Sequence, residues 1–333
     1  MMKTIMVTGG AGFIGSHFVR LLLSSRESVR VINVDILSYA GNLENCSDYK
    51  DNPRYTFYKA DIGDYDTILQ ILTKEGVDTV VNFAAESDNN KAIGSPLDFV
   101  KTNALGVATL LEASRAAEVK RFHHISTCEV FGQLGLDSAH MFTEDSSYNP
   151  RTPYNASKAA GDHVVMSYYH TYNLPVTISY CANNYGTHQF PEKVIPVFIA
   201  KVLEGQEIPI FASSGNKREW IHVVDHCKAI LAILDHGAIG EKYNIGTGTE
   251  KTVMEIADTV IAALGRGEEL KQIVPDRKGH DSRYLLDSSK IKRELGWSQE
   301  ISFEEGIKDV VDWYVANETW WKPLLAKSHS WNK

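Results

Sequence analysis

Tyr154 and Lys158 stand four residues apart, separated by Asn155, Ala156 and Ser157. On a helix that spacing puts the phenol and the ammonium on one face. A neighbouring cation lowers the pKa of a tyrosine, and a tyrosinate near neutral pH can take a proton from an alcohol. Ser126 and Thr127 close an apolar run upstream of this pair. By itself, a tyrosine–lysine pair of this kind is common on solvated helix faces. Its weight here comes from a glycine-rich segment near the N-terminus.

That segment reads Thr8-Gly9-Gly10-Ala11-Gly12-Phe13-Ile14-Gly15, and Asp35 follows 20 residues after Gly15. Gly9, Gly12 and Gly15 permit a tight turn and bring a pyrophosphate close to a helix N-terminus, where amide groups and the helix dipole favour negative charge. Asp35, at the end of the next apolar run, can accept both ribose hydroxyls and would repel a 2′-phosphate, which selects NAD over NADP. Phe13 and Ile14 lie in the same turn. Asp61 and Ile62 are placed near the adenine, and Ala84, in Asn82-Phe83-Ala84-Ala85-Glu86, lets a ligand approach the backbone. Lys158 is then placed to hold the nicotinamide ribose.

Elements in a definite order are needed to bring these residues together. Strand-like runs occur at Thr4 to Val7, Val29 to Val34, Tyr55 to Tyr58, Thr79 to Phe83, Arg121 to Ile125 and Val176 to Ser179. Helical stretches occupy Phe18 to Leu23, Tyr65 to Glu75, Leu97 to Glu118 and Tyr154 to Tyr172. This alternation predicts βαβ units and a Rossmann-type doubly wound parallel sheet. Beyond Tyr185 the texture turns polar and rich in glycine and proline, which predicts a smaller α/β lobe. The expected division is 1–185 plus about 220–246 for the NAD-binding domain, and about 186–219 plus 247–333 for the lobe.

The chain has 333 residues, enough for about two domains at roughly 150 each. Its 34 basic and 42 acidic residues leave a net charge of −8, which argues against non-specific nucleic-acid binding. No apolar run approaches the ~20 residues that span a bilayer. The four cysteines, Cys46, Cys128, Cys181 and Cys227, lack CxxC spacing, so no disulfide framework and no metal are expected, and a reducing cytoplasm fits.

The sequence resembles the extended short-chain dehydrogenase/reductases, and within them the dTDP-glucose 4,6-dehydratases. Segments carrying the likeness include Tyr39-Ala40-Gly41-Asn42, Phe83-Ala84-Ala85-Glu86-Ser87 and Pro153-Tyr154-Asn155-Ala156-Ser157-Lys158. Asn183-Asn184-Tyr185-Gly186, Gln189-Phe190-Pro191-Glu192-Lys193 and Asp276-Arg277-Lys278-Gly279-His280-Asp281 add to it. The resemblance implies a tightly bound, recycled NAD that oxidises a hexose at C4 and returns hydride to C6, leaving a 4-keto-6-deoxy sugar. It implies that Tyr154 is the C4 base, Lys158 its pKa partner, Thr127 the donor to the C4 oxygen and Glu129 the C5 base. On the nucleotide-sugar side it points to Glu86, Ser87, Asn183, Glu192 and Lys193. Arg218 suits bidentate diphosphate binding, with Arg277 and His280 within the same region. The helices at Leu97 to Glu118 and Tyr154 to Tyr172 are expected to pair across a two-fold axis into a homodimer.

The family reads Thr-Asp-Glu where this chain reads Thr127-Cys128-Glu129. The position expected to protonate the departing C6 hydroxyl is a thiol, with a reference pKa of about 8.5 against about 3.9 for aspartic acid. Losing a placed general acid typically costs about 10² to 10⁴ in rate. The His-Val-Asp-Arg-like stretch after Glu-Ser is here Asp88-Asn89-Asn90-Lys91, an expected arginine is Tyr180, and an expected asparagine is Val253. The favoured reading is therefore a substrate that needs no dehydration, a UDP-N-acetylhexosamine 5,6-ene of the kind met in bacillary CMP-pseudaminic acid synthesis, with Cys128 and Glu129 governing protonation at C5 and possible inversion there. The alternative is an ordinary dTDP- or UDP-glucose 4,6-dehydratase in which Cys128 or a water gives the proton. A non-catalytic nucleotide-sugar-binding protein is opposed by the retention of Thr127, Glu129, Tyr154 and Lys158.

Overall fold

The computed structural model describes residues 2–276 and 280–325. The chain opens with β1 (Thr4–Thr8), α1 (Phe13–Ser25), β2 (Arg30–Asp35), β3 (Tyr55–Lys59), α2 (Tyr65–Glu75) and β4 (Thr79–Asn82). It continues through α3 (Asn89–Gly94), α4 (Pro96–Val100), α5 (Val107–Ala116), β5 (Arg121–Thr127), α6 (Pro153–Tyr172), β6 (Val176–Cys181) and β7 (Asn183–Tyr185). Then follow α7 (Val194–Leu203), β8 (Ile208–Phe211), β9 (Lys217–His222), α8 (Val223–His236), β10 (Lys242–Ile245) and β11 (Glu250–Thr252). The last elements are α9 (Val253–Ala263), β12 (Lys271–Val274), α10 (Ser289–Leu295), α11 (Phe303–Ala316) and α12 (Glu318–Leu325).

Seven parallel strands form one sheet in the order β10-β6-β5-β4-β1-β2-β3. Strand order reverses between β1 and β4, and ligands of doubly wound sheets bind outside the carboxyl ends of the strands at such a point. All five residues of β1 are buried, as a strand covered on both faces must be. One covering layer joins α1 and α8 through Phe18, Leu22, Ile230 and Ile233. Each such side chain stabilises by about 1.5–3 kcal/mol when fully buried. The opposite layer joins α2, α5 and α6 through Ile68, Leu72, Leu110 and Val165. The smaller lobe packs α7, α9, α11 and α12 around Phe198, Val260, Val310 and Trp321, beside a three-stranded sheet (β11-β9-β7) and a two-stranded one (β12-β8).

Two expectations change. The helix expected over Leu97 to Glu118 is interrupted by a π-helical turn at Lys101–Gly106. That turn aims the Asn103 amide inward, where it accepts from the Glu86 N–H at 2.9 Å and donates to the Glu86 carbonyl and the Ser157 hydroxyl, each at 2.9 Å. The sequence assigns 247–333 to the second lobe, together with about 186–219. Instead Tyr284 and Leu286 pack with the α2–α5–α6 layer, and Ile291 and Trp297 pack with the α1–α8 layer. The chain thus returns to the large sheet after β12, because its own apolar residues there complete that sheet's cover.

Candidate active site

A cavity of about 510 Å³ lies at the carboxyl ends of β1, β4, β5 and β6 and reaches into the smaller lobe. Its first half is built by the glycine turn. Gly9 has φ +67°, and a Cβ there would stand 2.8 Å from the Ala84 nitrogen. A Cβ on Gly15 would stand 2.3 Å from the Gly9 carbonyl oxygen. Positions 9 and 15 therefore admit no side chain, and the backbone there is laid open to a ligand. Gly12 caps α1 with no side-chain hydrogen bond, which leaves the first-turn amides to face an anion. Gly9, Gly12, Phe13, Ile14 and Gly15 all line the cavity.

Asp35 lines it as well, at the end of β2. Its carboxylate accepts the Ala11 N–H at 3.0 Å and the Leu37 N–H at 2.8 Å. Burial leaves its pKa raised, and these two amides oppose that rise in part. A carboxylate has about four acceptor sites, so two amides leave capacity for a diol. Asp61, Ile62 and Ala84 complete this end of the wall. A glycine cradle, uncapped helix amides and a buried diol acceptor fit NAD.

At the other end stand Thr127, Glu129, Tyr154 and Lys158, all in the cavity wall. The helix carrying the last two starts well: Thr152 caps it by accepting the Asn155 N–H, and Pro153 opens its first turn. Tyr154 is hydrogen-bonded to Thr127; burial first, and then the charge of Glu129, push its phenol well above the usual range. Lys158 donates to the Ile125 carbonyl at 2.7 Å. Burial lowers its pKa and the Asp162 carboxylate raises it. Asp162 accepts from the Ser126 hydroxyl at 2.6 Å and from the Tyr148 hydroxyl at 3.2 Å. Burial carries that carboxyl up to about 6. The lowering of Tyr154 by Lys158 expected from the sequence is not what sets this phenol: burial and Glu129 raise it, and the lysine is anchored to the strand.

Cys128 departs from expectation. Its side chain is 2 % exposed and belongs to the apolar cluster that holds Val130, Phe131 and Tyr180. Burial, then the Glu129 charge, pushes the thiol well above its usual pKa. Thr127 and Glu129 line the cavity on either side, and the intervening thiol does not. A buried thiol whose pKa is pushed further up is too weak an acid to protonate a leaving group well.

On the remaining wall, Glu86 pairs with Lys91 at 2.9 Å, and the Ser87 carbonyl accepts from Lys193 at 2.8 Å. Glu192 accepts from the Tyr39 hydroxyl at 3.0 Å and lies 3.2 Å from the Lys193 ammonium. Glu86, Ser87, Glu192, Lys193 and Asn183 line the cavity. Arg218 lines it too, but its guanidinium donates to the carbonyls of Lys217, Asp281 and Ser282 at 2.8, 2.6 and 3.2 Å. The guanidinium lies over the Tyr284 ring, and the three carbonyls take three of its five N–H donors, which leaves two for a diphosphate. The His280 ring nitrogen is 3.1 Å from the Ser213 hydroxyl, and the ring packs edge-on to Phe211. Arg277 lies outside the described residues. Asn89 was given no role by the sequence, yet its amide reaches Glu129 at 3.2 Å. Asn103 was missed likewise. The signal available for Asn89 was its place in a stretch that departs from the resembled pattern.

The model of the GDP-mannose 4,6 dehydratase family matches residues 6–310. The chain belongs to this family. It is 45% identical over 339 residues to a dTDP-glucose 4,6-dehydratase of Neisseria gonorrhoeae, an alignment covering 95% of this chain and 97% of that protein. Among solved structures it is similar to the dTDP-glucose 4,6-dehydratase DesIV of Streptomyces venezuelae with NAD and TYD bound, at 43% identity and TM-score 0.93, covering 96% of this chain and 99% of that one. It also superposes on the UDP-glucose 4-epimerase of Thermotoga maritima with UDP-glucose, at 32% identity and TM-score 0.88, covering 95% and 99%. The chain is therefore an enzyme of the nucleotide-sugar 4,6-dehydratase and epimerase group, with the doubly wound sheet of its relatives.

Proposed function

We propose that this enzyme binds NAD and a nucleoside-diphosphate hexose in the one cavity and performs a redox-neutral conversion to a 4-keto-6-deoxy sugar. Gly9, Gly12 and Gly15, with Asp35, would hold NAD. Bound there, NAD supplies a hydride acceptor at C4 that later serves as the donor at C6, and a positive ring that offsets the forces raising Tyr154. Tyr154 takes the C4 hydroxyl proton. Thr127 hydrogen-bonds the same oxygen as it becomes a carbonyl. Lys158 holds the ribose and keeps the phenol's surroundings positive. Glu129 carries the C5 proton, which the adjacent carbonyl makes acidic. The nucleotide diphosphate lies along Asn183, Lys193 and the Arg218 edge.

The favoured substrate is a UDP-N-acetylhexosamine 5,6-ene. After C4 oxidation it is a conjugated enone; hydride adds at C6 and a proton at C5, with no leaving group. The observation supporting this choice is the burial of Cys128 outside the cavity wall, which leaves position 128 without an acid for water loss. A second reading, dehydration of dTDP-glucose, is favoured by the 45% identity to a dTDP-glucose 4,6-dehydratase. Purified enzyme with dTDP-glucose, UDP-GlcNAc and the UDP-GlcNAc 5,6-ene, followed by mass and proton NMR, separates them. Turnover of the ene alone supports the first reading, and efficient water loss from a saturated sugar overturns it in favour of the second.

We further propose a homodimer acting in the cytoplasm. Leu97 is 80% exposed and Leu105 61% exposed on the α4–α5 segment beside α6, an apolar face suited to a two-fold partner. No helix among the described residues is long and apolar enough to cross a membrane.

A further inference from the structure

Glu129 and Tyr154 come from different elements, one from the turn after β5 and the other from α6. Two proton transfers at neighbouring carbons require these two groups to keep a fixed separation. A directed chain of hydrogen bonds joins them. The Asn155 N–H donates to the Thr152 hydroxyl oxygen at 3.2 Å. The Thr152 hydroxyl donates to the Asn89 side-chain carbonyl at 2.9 Å. The Asn89 amide nitrogen donates to Oε2 of Glu129 at 3.2 Å. Asp88 sets up the first residue of α3 by accepting the Asn90 N–H at 2.8 Å, and Asn89 thereby stands in the cavity wall.

The chemistry of each group fixes the direction. An ionised carboxylate only accepts, so the NH₂ end of Asn89 must face Glu129. The other end must then accept, and the Thr152 hydroxyl proton is available because its oxygen already takes the helix amide. The amide cannot flip without losing both bonds.

We propose that Asn89 is a positioning residue: it pins the Glu129 carboxylate to the N-cap of the helix that carries Tyr154, holding C5 proton transfer in register with C4 oxidation. This rests on the functional reading above, in which Glu129 serves C5. A valine-like side chain at this place, as the resembled pattern has, offers no donor. With Cys128 outside the cavity wall, Asn89 is a neutral polar group that the wall sets against this carboxylate. A misplacement of about 1 Å costs on the order of a hundredfold in rate.

The test compares the wild type with Asn89→Leu, and with Asn89→Ala as a second, smaller variant that also lacks the donor. Single-turnover mixing uses whichever of dTDP-glucose, UDP-GlcNAc or the UDP-GlcNAc 5,6-ene the wild type converts. Reduced-nicotinamide absorbance reports C4 oxidation, and solvent deuterium entering C5 reports the second proton transfer. Deuterium entry is expected to fall about 10- to 100-fold in both variants, with C4 oxidation at the wild-type rate, so that reduced nicotinamide accumulates. A parallel fall of both steps, or unchanged deuterium entry, overturns the role. If the wild type reduces nicotinamide with none of the three sugars, the functional reading itself fails and removes this inference with it.

Discussion

Replacing Cys128 by aspartate restores the acid that the resembled enzymes carry at this position. Two magnitudes decide the outcome. The side chain at 128 is 2 % exposed and packs with Val130, Phe131 and Tyr180. A carboxyl placed there without partners costs about 1–3 kcal/mol of stability. The burial and the Glu129 charge that raise the thiol would also keep the new carboxyl protonated near neutral pH, which is the form a general acid needs. A placed acid is worth about 10² to 10⁴ in rate, or roughly 3 to 5 kcal/mol of barrier. C128D is therefore expected to unfold at lower denaturant concentration while gaining water loss from dTDP-glucose by about two orders of magnitude or more. Urea titration and initial rates of 4-keto-6-deoxy product formation measure the two effects. Equal rates for wild type and C128D would refute the reasoning that the buried thiol is what withholds dehydration.

Gly15→Ala forces a Cβ to 2.3 Å from the Gly9 carbonyl oxygen. Backbone must move, at a cost of about 1–3 kcal/mol, and a thermal melt should show a lower Tm with no upward shift on adding NAD. In Asp162→Asn the burial that lowers Lys158 is left unopposed by the carboxylate that raises it. At the ~6 Å typical of i, i+4 neighbours the lost attraction is about 2 to 3 kcal/mol. Lys158 should then lose its proton at lower pH, so the alkaline limb of the kcat profile moves towards neutrality, whereas an unmoved limb would show that Asp162 does not sustain the ammonium. His124, Ser126, Tyr148 and Lys242 face the same carboxyl and are unchanged in that variant. Leu97→Glu combined with Leu105→Glu places charge on the exposed α4–α5 face, and sedimentation should find monomer where the wild type sediments as dimer.

The glycine turn, Asp35, and the Tyr154–Lys158 pair were legible because backbone geometry demands those residue types at those spacings. The parallel sheet was legible from alternating runs, since strands covered on both faces must be apolar throughout. Three features were not. Cys128 lies between two cavity-facing neighbours, and which way a side chain turns after a strand end depends on the packing of Phe131 and Tyr180 behind it. Arg218 lines the cavity, but no local signal showed that the carbonyls of Asp281 and Ser282, some sixty residues away in sequence, also engage its guanidinium. The π turn at Lys101–Gly106 follows from the Asn103 amide joining Glu86 and Ser157, a tertiary contact with no local signature. Asn89 was visible only as a departure; its partner Glu129 is 40 residues distant.

Transfer of hydrogen from C4 to C6 within one sugar is the most direct consequence of the proposed chemistry. A nucleotide sugar bearing deuterium at C4, supplied as the saturated hexose and as the 5,6-ene, is converted by the enzyme and the product is examined by proton NMR and mass. Deuterium in the C6 methyl group of a 4-keto product is the predicted result. Deuterium retained at C4, or lost to solvent while the sugar is converted, would contradict it.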